Sequence, residues 1–436
     1  MPKATYTPHL PENVIKNNLS TEQLVPVTYA GQAHEQTLPN GERKGFFIGD
    51  GTGVGKGREI SGIILDNFEQ GRDKAVWISK NDKLFTDAQR DWVDTTGRSK
   101  DEVHFQGKTK LQNKIDFGSG ILFTTYPTLR TEKGQLSRVN QIVEWLGKDF
   151  DGVIAFDEAH NMGNLLGKSG KFGKTKGSAM AAAAVKLQSL LPKARVVYVS
   201  ATAATDVQGL AFASRLGLWG RGTAFTDVND FVSKIQSSGI AAMELVVRDM
   251  KAMGVYVSRS ISYNGVSYDT VQHDLDPMQT EIYNTMSRAW QKTMGSVEES
   301  LKSTGGVHNS NAKQLAIGQY YSAMQRFYNQ VLTSMSMPSV IADMKKELAA
   351  GRSCVLQIVN TNQAEADRQI ASIKADNGSL DDMDLTPRGT LIGYLEKRYP
   401  IIQYEEYTDE NGAVRSRPVT DSKGEPVIDR AAVRKR

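Results

Sequence analysis

The sequence predicts an α/β fold in which helices cover both faces of a parallel β-sheet. Short segments that are apolar throughout, rather than at every second position, recur between residues 45 and 202. Segments with apolar residues at helical spacing lie between them. Strands that are buried on both faces and alternate with helices are typical of parallel sheets, so we expect this architecture for the first half of the 436-residue chain.

Five apolar segments are predicted to be strands of this sheet. In chain order they are residues 45–50 (GFFIGD), 74–79 (KAVWIS), 120–126 (GILFTTY), 152–158 (GVIAFDE) and 194–202 (ARVVYVSAT). After the first of them, Ile60, Ile63 and Ile64 recur at helical spacing, and residues 135–147 predict a further helix. Ligands of such sheets bind at the carboxyl ends of the strands, so the polar residues that follow these strands are site candidates.

The pattern changes after residue 218. Residues 224–254 read as helices, 266–275 (VSYDTVQHDL) alternate like a strand, and two long helices flank the loop at 303–311 (STGGVHNSN). Their Met and aromatic residues lie at helical spacing, which favours core packing. From residue 338 a helix, a strand at 353–360 and a further helix resume the α/β pattern. We therefore expect a lead-in at 1–18, an α/β domain at 19–218, a mainly helical linker at 219–337, and an incomplete second α/β domain with a polar tail at 338–436.

Composition excludes several classes of protein. A single cysteine, Cys354, excludes an internal disulfide and a cysteine-rich zinc site, and the six histidines show no metal-ligand spacing. Neither a membrane-spanning apolar run nor a secretory signal is apparent, so we expect no membrane partner and an intracellular, cytoplasmic location, or a nuclear one in a eukaryote. The net charge of +4 is too small to indicate a nucleic-acid partner by itself.

The loop DGTGVGKGR, residues 50–58, is typical of a phosphate-binding loop. Its glycines let backbone N–H groups converge on phosphate oxygens, and Lys56 is placed to meet the β- and γ-phosphates. The generic pattern G-x-x-x-x-G-K-[ST] fails twice, since Asp50 replaces the first glycine and Gly57 replaces the hydroxyl residue that binds Mg²⁺. The candidate nucleotide-binding residues are Gly51, Thr52, Gly53, Val54, Gly55, Lys56, Gly57 and Arg58.

Two adjacent carboxylates, Asp157 and Glu158, end the fourth predicted strand. In a nucleotide site Asp157 would hold Mg²⁺, usually through water, and Glu158 would act as the general base for the attacking water. Ser200, Ala201 and Thr202 end the next strand, and their hydroxyl groups could bond to the neighbouring carboxylate strand. An acidic pair at a turn would be the structural alternative for Asp157 and Glu158, but the phosphate loop favours the catalytic interpretation.

The order of these motifs resembles that of superfamily 2 helicases and translocases, of the DEAD/DEAH-like kind. DGTGVGKG (50–57) is similar to motif I, DEAH (157–160) to motif II and SAT (200–202) to motif III. Swi/Snf-type remodellers, a branch of that superfamily, also begin motif I with Asp. More closely, the chain resembles the strawberry notch family over roughly residues 19–375, on the segments GFFIGDGTGVGKGR, KAVWIS, TTYPTL, FDGVIAFDEAHN, LPKARVVYVSATAAT, RLGLWGRGTAF and AAMELVVRDMKAMGVYVSRSIS.

The resemblance implies a RecA-like P-loop NTPase domain, a helical linker and part of a second RecA-like domain, with ATP and Mg²⁺ as cofactors. It makes Gln23 the candidate adenine contact, with Gln32 as a weaker alternative. His160 and the Ser200–Thr202 motif would couple hydrolysis to nucleic-acid binding. Lys80 and Thr125 fall where relatives touch the nucleic-acid backbone, although a purely structural role is about as plausible for them. Family members also carry glycine at the position of Gly57.

A lysine-rich segment offers a further nucleic-acid contact. Four lysines stand among glycines without an acidic residue between them: Lys168, Lys171, Lys174 and Lys176. Such a segment can follow a phosphate backbone, and a solvated loop is the alternative. DNA is the more expected partner, and a DNA methyltransferase elsewhere in a longer polypeptide of phage or bacterial origin fits the resemblance.

The arginine motif that relatives place in their second domain is not found in this sequence. We therefore expect the chain to be the N-terminal portion of a longer ATP-dependent helicase or translocase, and by itself to bind ATP–Mg²⁺ weakly and to hydrolyse ATP slowly or not at all. The alternative is a nucleotide-gated DNA- or RNA-binding scaffold without productive hydrolysis.

Overall fold

The computed structural model contains two compact units, Met1–Gly265 and Val266–Arg436. The described residues are 1–107, 111, 113–134, 136–170, 173–202, 207–259, 264–358, 370, 386–408 and 414–436. No helix within these ranges is long and apolar enough to cross a lipid bilayer.

A parallel seven-stranded sheet forms the centre of the first unit. The strands of this unit are β1 (Phe46–Ile48), β2 (Lys74–Ser79), β3 (Val103–Phe105), β4 (Gly120–Thr125), β5 (Glu132–Lys133), β6 (Leu136–Ser137), β7 (Val153–Asp157), β8 (Lys168–Gly170), β9 (Gly173–Thr175), β10 (Arg195–Val199) and β11 (Tyr256–Val257). The sheet order is β11-β1-β10-β7-β2-β4-β3, while β5-β6 and β8-β9 are separate antiparallel pairs. The five predicted strands are confirmed.

Helices cover both faces of this sheet, as predicted. They are α1 (Thr21–His34), α2 (Lys56–Phe68), α3 (Leu84–Thr96), α4 (Tyr126–Leu129), α5 (Arg138–Leu146), α6 (Ala179–Leu190) and α7 (Val228–Ala252). Successive residues of a strand point to opposite faces. Phe46 and Ile48 accordingly pack with α1 to α3, whereas Phe47 packs with α4 to α7. The sheet therefore lies between two apolar layers, and its polar groups are displayed at the strand ends.

The first unit extends further along the chain than the sequence indicated. We expected the α/β domain to end at residue 218, but α7 packs on the sheet and β11 joins its edge. Within β11, Tyr256 pairs with Phe47 and Val257 with Ile48. Strands β3 and β11, which lie at the two edges of the sheet and contain three and two residues, were not predicted.

The lead-in at 1–18 is tied to the first unit rather than loosely held. The Tyr6 hydroxyl donates to Asp66 of α2 at 2.6 Å, and the Tyr29 hydroxyl of α1 donates to the carbonyl of Pro2 at 2.7 Å. Burial and then the Asp66 hydrogen bond raise the pKa of Tyr6. Gln32 also bonds this lead-in, through Thr5 and Lys3, and so serves to fix the N-terminal segment.

Long helices dominate the second unit. Its elements are α8 (Pro277–Ser303), α9 (Ser310–Ala349), α10 (Pro387–Arg398), β12 (Tyr404–Thr408), β13 (Val414–Pro418) and α11 (Arg430–Lys435). Trp290, Tyr320, Phe327 and Tyr394 are buried together in its core. The interpretation of the Met and aromatic residues of α8 and α9 as core holds for Trp290, Tyr320 and Phe327, whereas Met278 and Tyr321 are exposed. The predicted loop between α8 and α9 is confirmed.

Three expectations for the second unit differ from the structure. The domain boundary expected at 337/338 lies inside α9, which continues through Pro338. Residues 266–275 and 353–358 form no strand, and Tyr268 and Val355 are exposed. A strand requires a hydrogen-bonded neighbour, and the described residues provide none beside these segments. Residues 359–369 and 371–385, where the second RecA-like domain was expected to continue, lie outside the described residues.

Candidate nucleotide-binding site

The loop between β1 and α2 has the backbone geometry of an anion cradle. Gly53 and Gly55 have φ of 92° and 99°, a left-handed conformation that favours glycine. The amides of Arg58 and Glu59 bond back to the Gly55 carbonyl, whereas those of Lys56 and Gly57 begin α2, where the first amides of a helix have no acceptor within the helix and can bind an anion. Lys56 Nζ lies at the mouth of the loop, 3.1 Å from the carbonyl oxygen of Asp50.

A hydrogen bond from Gln23 stabilises this loop. Gln23 Nε2 donates to the carbonyl of Val54 at 2.9 Å, and its Oε1 accepts from the Ser20 amide in the capping box that starts α1. A Cβ at Gly55 would lie 2.3 Å from Gln23 Nε2, so the glycine is required for this contact. Of the two glutamines considered for the adenine contact, Gln23 lies at the loop and Gln32 does not.

Asp50 anchors the loop instead of facing a phosphate. Its side chain is fully buried and forms an ion pair with Arg259, which follows β11. The Arg259 amide also donates to Asp50 Oδ1 at 2.8 Å, and the Arg259 carbonyl accepts from the Gly51 amide at 2.8 Å. The residue that departs from the generic motif is therefore held by a segment that lies 209 positions further along the chain.

Glu59 completes this buried group of charges. Its Oε1 lies 3.0 Å from Arg259 Nη2, and its Oε2 is buried without a donor. Burial, followed by the nearby Asp50 charge and a hydrogen bond with Asp50, raises the pKa of Glu59 to about 9. The pKa of Glu59 is raised because the side chain is desolvated and because two neighbouring buried carboxylates share one guanidinium.

Gly57, the second departure from the generic motif, lies against α3. A Cβ at Gly57 would lie 1.9 Å from Asp91 Oδ2 and 2.9 Å from Asp91 Cγ. A larger residue at this position therefore requires Asp91 to move.

Asp157 is placed at the level of the loop by the register of the sheet. Ile48 pairs with Val199 and Val199 pairs with Asp157, so the ends of β1, β10 and β7 are aligned. The Ser79 hydroxyl donates to Asp157 Oδ2 at 2.7 Å, and the Glu158 amide donates to Oδ1 at 2.9 Å. Burial raises the pKa of Asp157 to about 6.

Glu158 has a backbone conformation that is rare outside glycine. Its φ of 48° is the one positive value for a non-glycine residue among those the structure describes. Such strain is held at functional sites by surrounding contacts. Here His160 Nδ1 lies 3.2 Å from Glu158 Oε2 and 3.1 Å from Ser200 Oγ, while Asn161 Nδ2 donates to the Glu158 carbonyl. The expected bond between the Ser200 motif and the carboxylate strand thus runs through His160.

Other candidates lie apart from the loop. The Arg58 guanidinium turns toward Asp94 of α3 at 3.2 Å and the Asn18 carbonyl, so it does not face the cradle. Thr125 is buried and caps α4, which removes it from any surface contact. Thr52, Lys80, Lys176, Ala201 and Thr202 are exposed. Lys171 lies outside the described residues, and Lys168 and Lys174 are described in backbone only, in β8 and β9.

Sequence reasoning missed three residues of this site, Glu59, Asp91 and Arg259. Glu59 lies in the first turn of α2, where an acidic residue is common, so it gave no sign of its role. Asp91 and Arg259 carry no local signal, because each meets the loop only through the packing of another element.

A glycine loop with its lysine at a helix N-terminus, aligned with an aspartate that ends a buried strand of a parallel sheet, defines a P-loop NTPase with a RecA-like fold. The model of the family described as "P-loop containing NTP hydrolase pore-1" matches residues 1–285. The chain therefore belongs to this family of P-loop NTP hydrolases.

The resemblance to strawberry notch proteins is confirmed. The chain is 37% identical over 403 residues to "Protein strawberry notch" of Drosophila melanogaster, covering 89% of this chain and 24% of that protein. It is 35% identical over 422 residues to "Protein FORGETTER 1" of Arabidopsis thaliana, covering 95% and 32% respectively. The chain thus spans about a quarter to a third of the length of these relatives. Since they are animal and plant proteins, they lend no support to a phage or bacterial origin or to a methyltransferase partner.

Among solved structures, the chain is similar to a Sulfolobus solfataricus SWI2/SNF2 ATPase core in complex with double-stranded DNA. The two share 14% identity and a TM-score of 0.41, with 83% of this chain and 65% of that chain covered. A likeness of this degree carries no conclusion about function.

Proposed function

We propose that this chain is the first motor domain, with adjoining segments, of an ATP-dependent helicase or translocase that acts on nucleic acid, DNA more than RNA. The observation that carries the proposal is the alignment of three strand ends. The Lys56 loop follows β1, Asp157 ends β7, and Ser200 follows β10 between them. Neighbouring strands lie about 5 Å apart, so loop and carboxylate are separated by two such spacings, or about 10 Å.

The residues present fit ATP and Mg²⁺. Two observations test the fit. A Cβ at Gly55 would strike Gln23, so the loop has the shape of a glycine cradle. The groups present are backbone amides, the Lys56 ammonium and the half-buried Asp157 carboxylate, which suit phosphate oxygens and a metal ion. In this proposal Lys56 and the loop amides bind phosphate oxygens, and Asp157 holds the metal ion. Bound Mg²⁺ would neutralise the charge that develops on the phosphates.

Glu158 is the proposed general base. Its left-handed backbone turns the side chain toward His160 instead of continuing the direction of β7. A carboxylate held there can accept a proton from water, and His160 can stabilise the charged form while it contacts Ser200. A shift of Ser200 on β10 would then alter the position of the base, which supports the proposed coupling role of the Ser200–Thr202 motif.

Contacts with nucleic acid are proposed at the same edge of the sheet. Lys80 is exposed and directly follows Ser79, which bonds Asp157. An exposed lysine beside the metal ligand can bind a phosphate of the nucleic-acid backbone. Lys176 is a second exposed candidate, whereas the buried Thr125 is withdrawn.

The alternative of a nucleotide-gated scaffold without productive hydrolysis is favoured by one observation, the missing hydroxyl at Gly57. Against it, the chain retains Lys56, Asp157 and Glu158, and Asp157 ends β7 at the level of the phosphate loop. The scaffold would bind nucleic acid differently with and without nucleotide and would release no phosphate.

Substitution of Lys56 tests the nucleotide site. Lys56→Ala removes the ammonium at the mouth of the loop, so the affinity for ATP–Mg²⁺ should fall at least tenfold in calorimetry. Lys186→Ala, an exposed lysine on α6, is the matched control and should bind as the wild type does. Equal affinity in the two variants would show that the loop is not the phosphate site.

Substitution of Glu158 separates the motor from the scaffold. Glu158→Gln keeps the size of the side chain but cannot accept a proton, so ATP should still bind while phosphate release falls by about 10²–10⁴-fold. Phosphate release is measured with and without duplex DNA, single-stranded DNA and RNA. The assay is made on the complete gene product, and wild-type protein that binds ATP but releases phosphate no faster than Glu158→Gln under every condition would favour the scaffold.

A further inference from the structure

The inference concerns the oxygen that Gly57 cannot provide, and it rests on the proposed nucleotide site. In a generic phosphate loop the residue after the lysine contributes a hydroxyl to Mg²⁺. Gly57 has no side chain, so that contact must come from another group or be absent. We propose that the Asp91 carboxylate of α3 supplies the missing side-chain oxygen to the metal ion, directly or through one water molecule.

The position of Asp91 carries the proposal. A Cβ built on Gly57 would lie 1.9 Å from Asp91 Oδ2. A serine hydroxyl is one covalent bond beyond its Cβ, so the carboxylate oxygen lies in the space that such a side chain would fill. The glycine and the aspartate are therefore complementary, because only a residue without a side chain leaves room for this oxygen.

The hydrogen bonds of Asp91 are made by its other carboxylate oxygen, Oδ1. Oδ1 accepts from Arg90 Nε at 3.3 Å and Nη2 at 3.1 Å, and Arg90 also pairs with Asp87. No donor from the described part of the chain reaches Oδ2, which faces Gly57. The side chain is 20% exposed, so a hydrated ion can approach it.

The resulting donor set suits Mg²⁺. This ion is usually held by one or two carboxylates together with substrate phosphates and water. Asp157 at the end of β7 and Asp91 on α3 would be the two carboxylates. No group of three His, Cys, Asp or Glu residues able to hold a metal occurs within the described ranges, so the protein alone does not form a complete cage.

The test is the Mg²⁺ dependence of nucleotide binding by the full chain. A fluorescent, non-hydrolysable ATP analogue is titrated at increasing Mg²⁺ concentrations, and Mn²⁺ in the ternary complex is followed by electron paramagnetic resonance. Asp91→Asn should raise the Mg²⁺ concentration at half-saturation about tenfold and alter the Mn²⁺ signal, while binding without metal persists.

Asp87→Asn is the matched control. It removes a carboxylate from the same helix and the same arginine, but not from the surface of Gly57, so its metal dependence should be that of the wild type. Equal half-saturation for Asp91→Asn and Asp87→Asn would overturn the assignment of Asp91 and leave the nucleotide site intact. Absence of analogue binding by the wild-type protein, with or without metal, would overturn the proposed function as well.

If Asp91→Asn fails to fold, a double variant that moves the metal-binding oxygen from residue 91 to residue 57 tests the same proposal. The double variant Gly57→Ser with Asp91→Ala restores a hydroxyl at residue 57 and removes the carboxylate that would collide with it. Its Mg²⁺ dependence should return to within about threefold of the wild type, whereas Asp91→Ala alone should remain about tenfold weaker. A double variant no better than Asp91→Ala would contradict the proposal.

Discussion

At the scale of single residues, the two departures from the generic phosphate loop have different structural causes. Asp50 is buried and paired with Arg259, so it fixes the loop to the edge of the sheet. Gly57 leaves the space that Asp91 occupies. Neither substitution removes the anion cradle, which depends on the backbone at Gly53 and Gly55.

Glu59 provides a prediction about pH. Its pKa rises from 4.5 in the reference state to about 9 in the fold. The folded state therefore binds more protons between these values, and stability from this residue is complete below about 4.5 and is lost as pH rises toward 9. The loss amounts to at most about 1.4 kcal/mol per pH unit.

Glu59→Gln should remove this dependence, because the amide resembles the protonated acid. Urea unfolding of wild type and variant at a series of pH values between 5 and 9 measures the difference. We expect the free energy of unfolding of the wild type to decline relative to the variant as pH rises. Parallel curves would show that Glu59 is ionised in the fold at neutral pH.

At the scale of elements, Ser258 and Arg259, which directly follow β11 and are called the strap below, hold the phosphate loop at the edge of the sheet. Tyr256 and Val257 extend the sheet beside β1, and the Arg259 amide and carbonyl then bond Asp50 and Gly51. The Ser258 hydroxyl also donates to the Gly49 carbonyl at 3.2 Å. The shape of the loop thus depends on an element that a local motif search does not include.

Arg259→Ala should destabilise the first unit by roughly 3–5 kcal/mol, because it leaves Asp50 buried without its cation. Adding Asp50→Asn should recover part of this loss, since the unpaired charge is then removed. Urea unfolding measures the double-mutant cycle, with the exposed Arg248→Ala on α7 as the control. Additive effects of the two substitutions would show that the pair does not interact.

At the scale of the whole molecule, the first unit contains the complete candidate site. The loop, Asp157, Glu158, Asp91 and Arg259 all lie within Met1–Gly265. The sheet, both of its helical layers and its two edge strands are in the same unit. The separate core around Trp290 belongs to Val266–Arg436.

A fragment of residues 1–265 should therefore fold by itself and bind the ATP analogue within about threefold of the full chain. Circular dichroism with thermal unfolding checks the fold, and the fluorescence titration checks the binding. A fragment of residues 1–218, which ends where the sequence predicted the end of the α/β domain, is the control. It lacks α7, β11 and the Arg259 strap, and it should be less stable and bind more weakly. Equal behaviour of the two fragments would contradict the role of the strap.

The sequence by itself determined the sheet, the phosphate loop and the pair Asp157–Glu158, because these features depend on short patterns along one strand or one turn. Apolar segments such as KAVWIS identify buried strands, and glycines around Lys56 identify an anion cradle. The functional roles assigned to these residues remain predictions.

Only the tertiary structure decided what surrounds the loop. Arg259 reaches Asp50 because a two-residue strand joins the edge of the sheet, and Asp91 reaches Gly57 because α3 packs on α2. Packing also explains why Thr125 and Arg58 do not face the site. Thr125 caps α4, and the Arg58 guanidinium pairs with Asp94 of α3. Contacts between residues far apart in the chain follow from how whole elements pack, and no local pattern of residues records that packing.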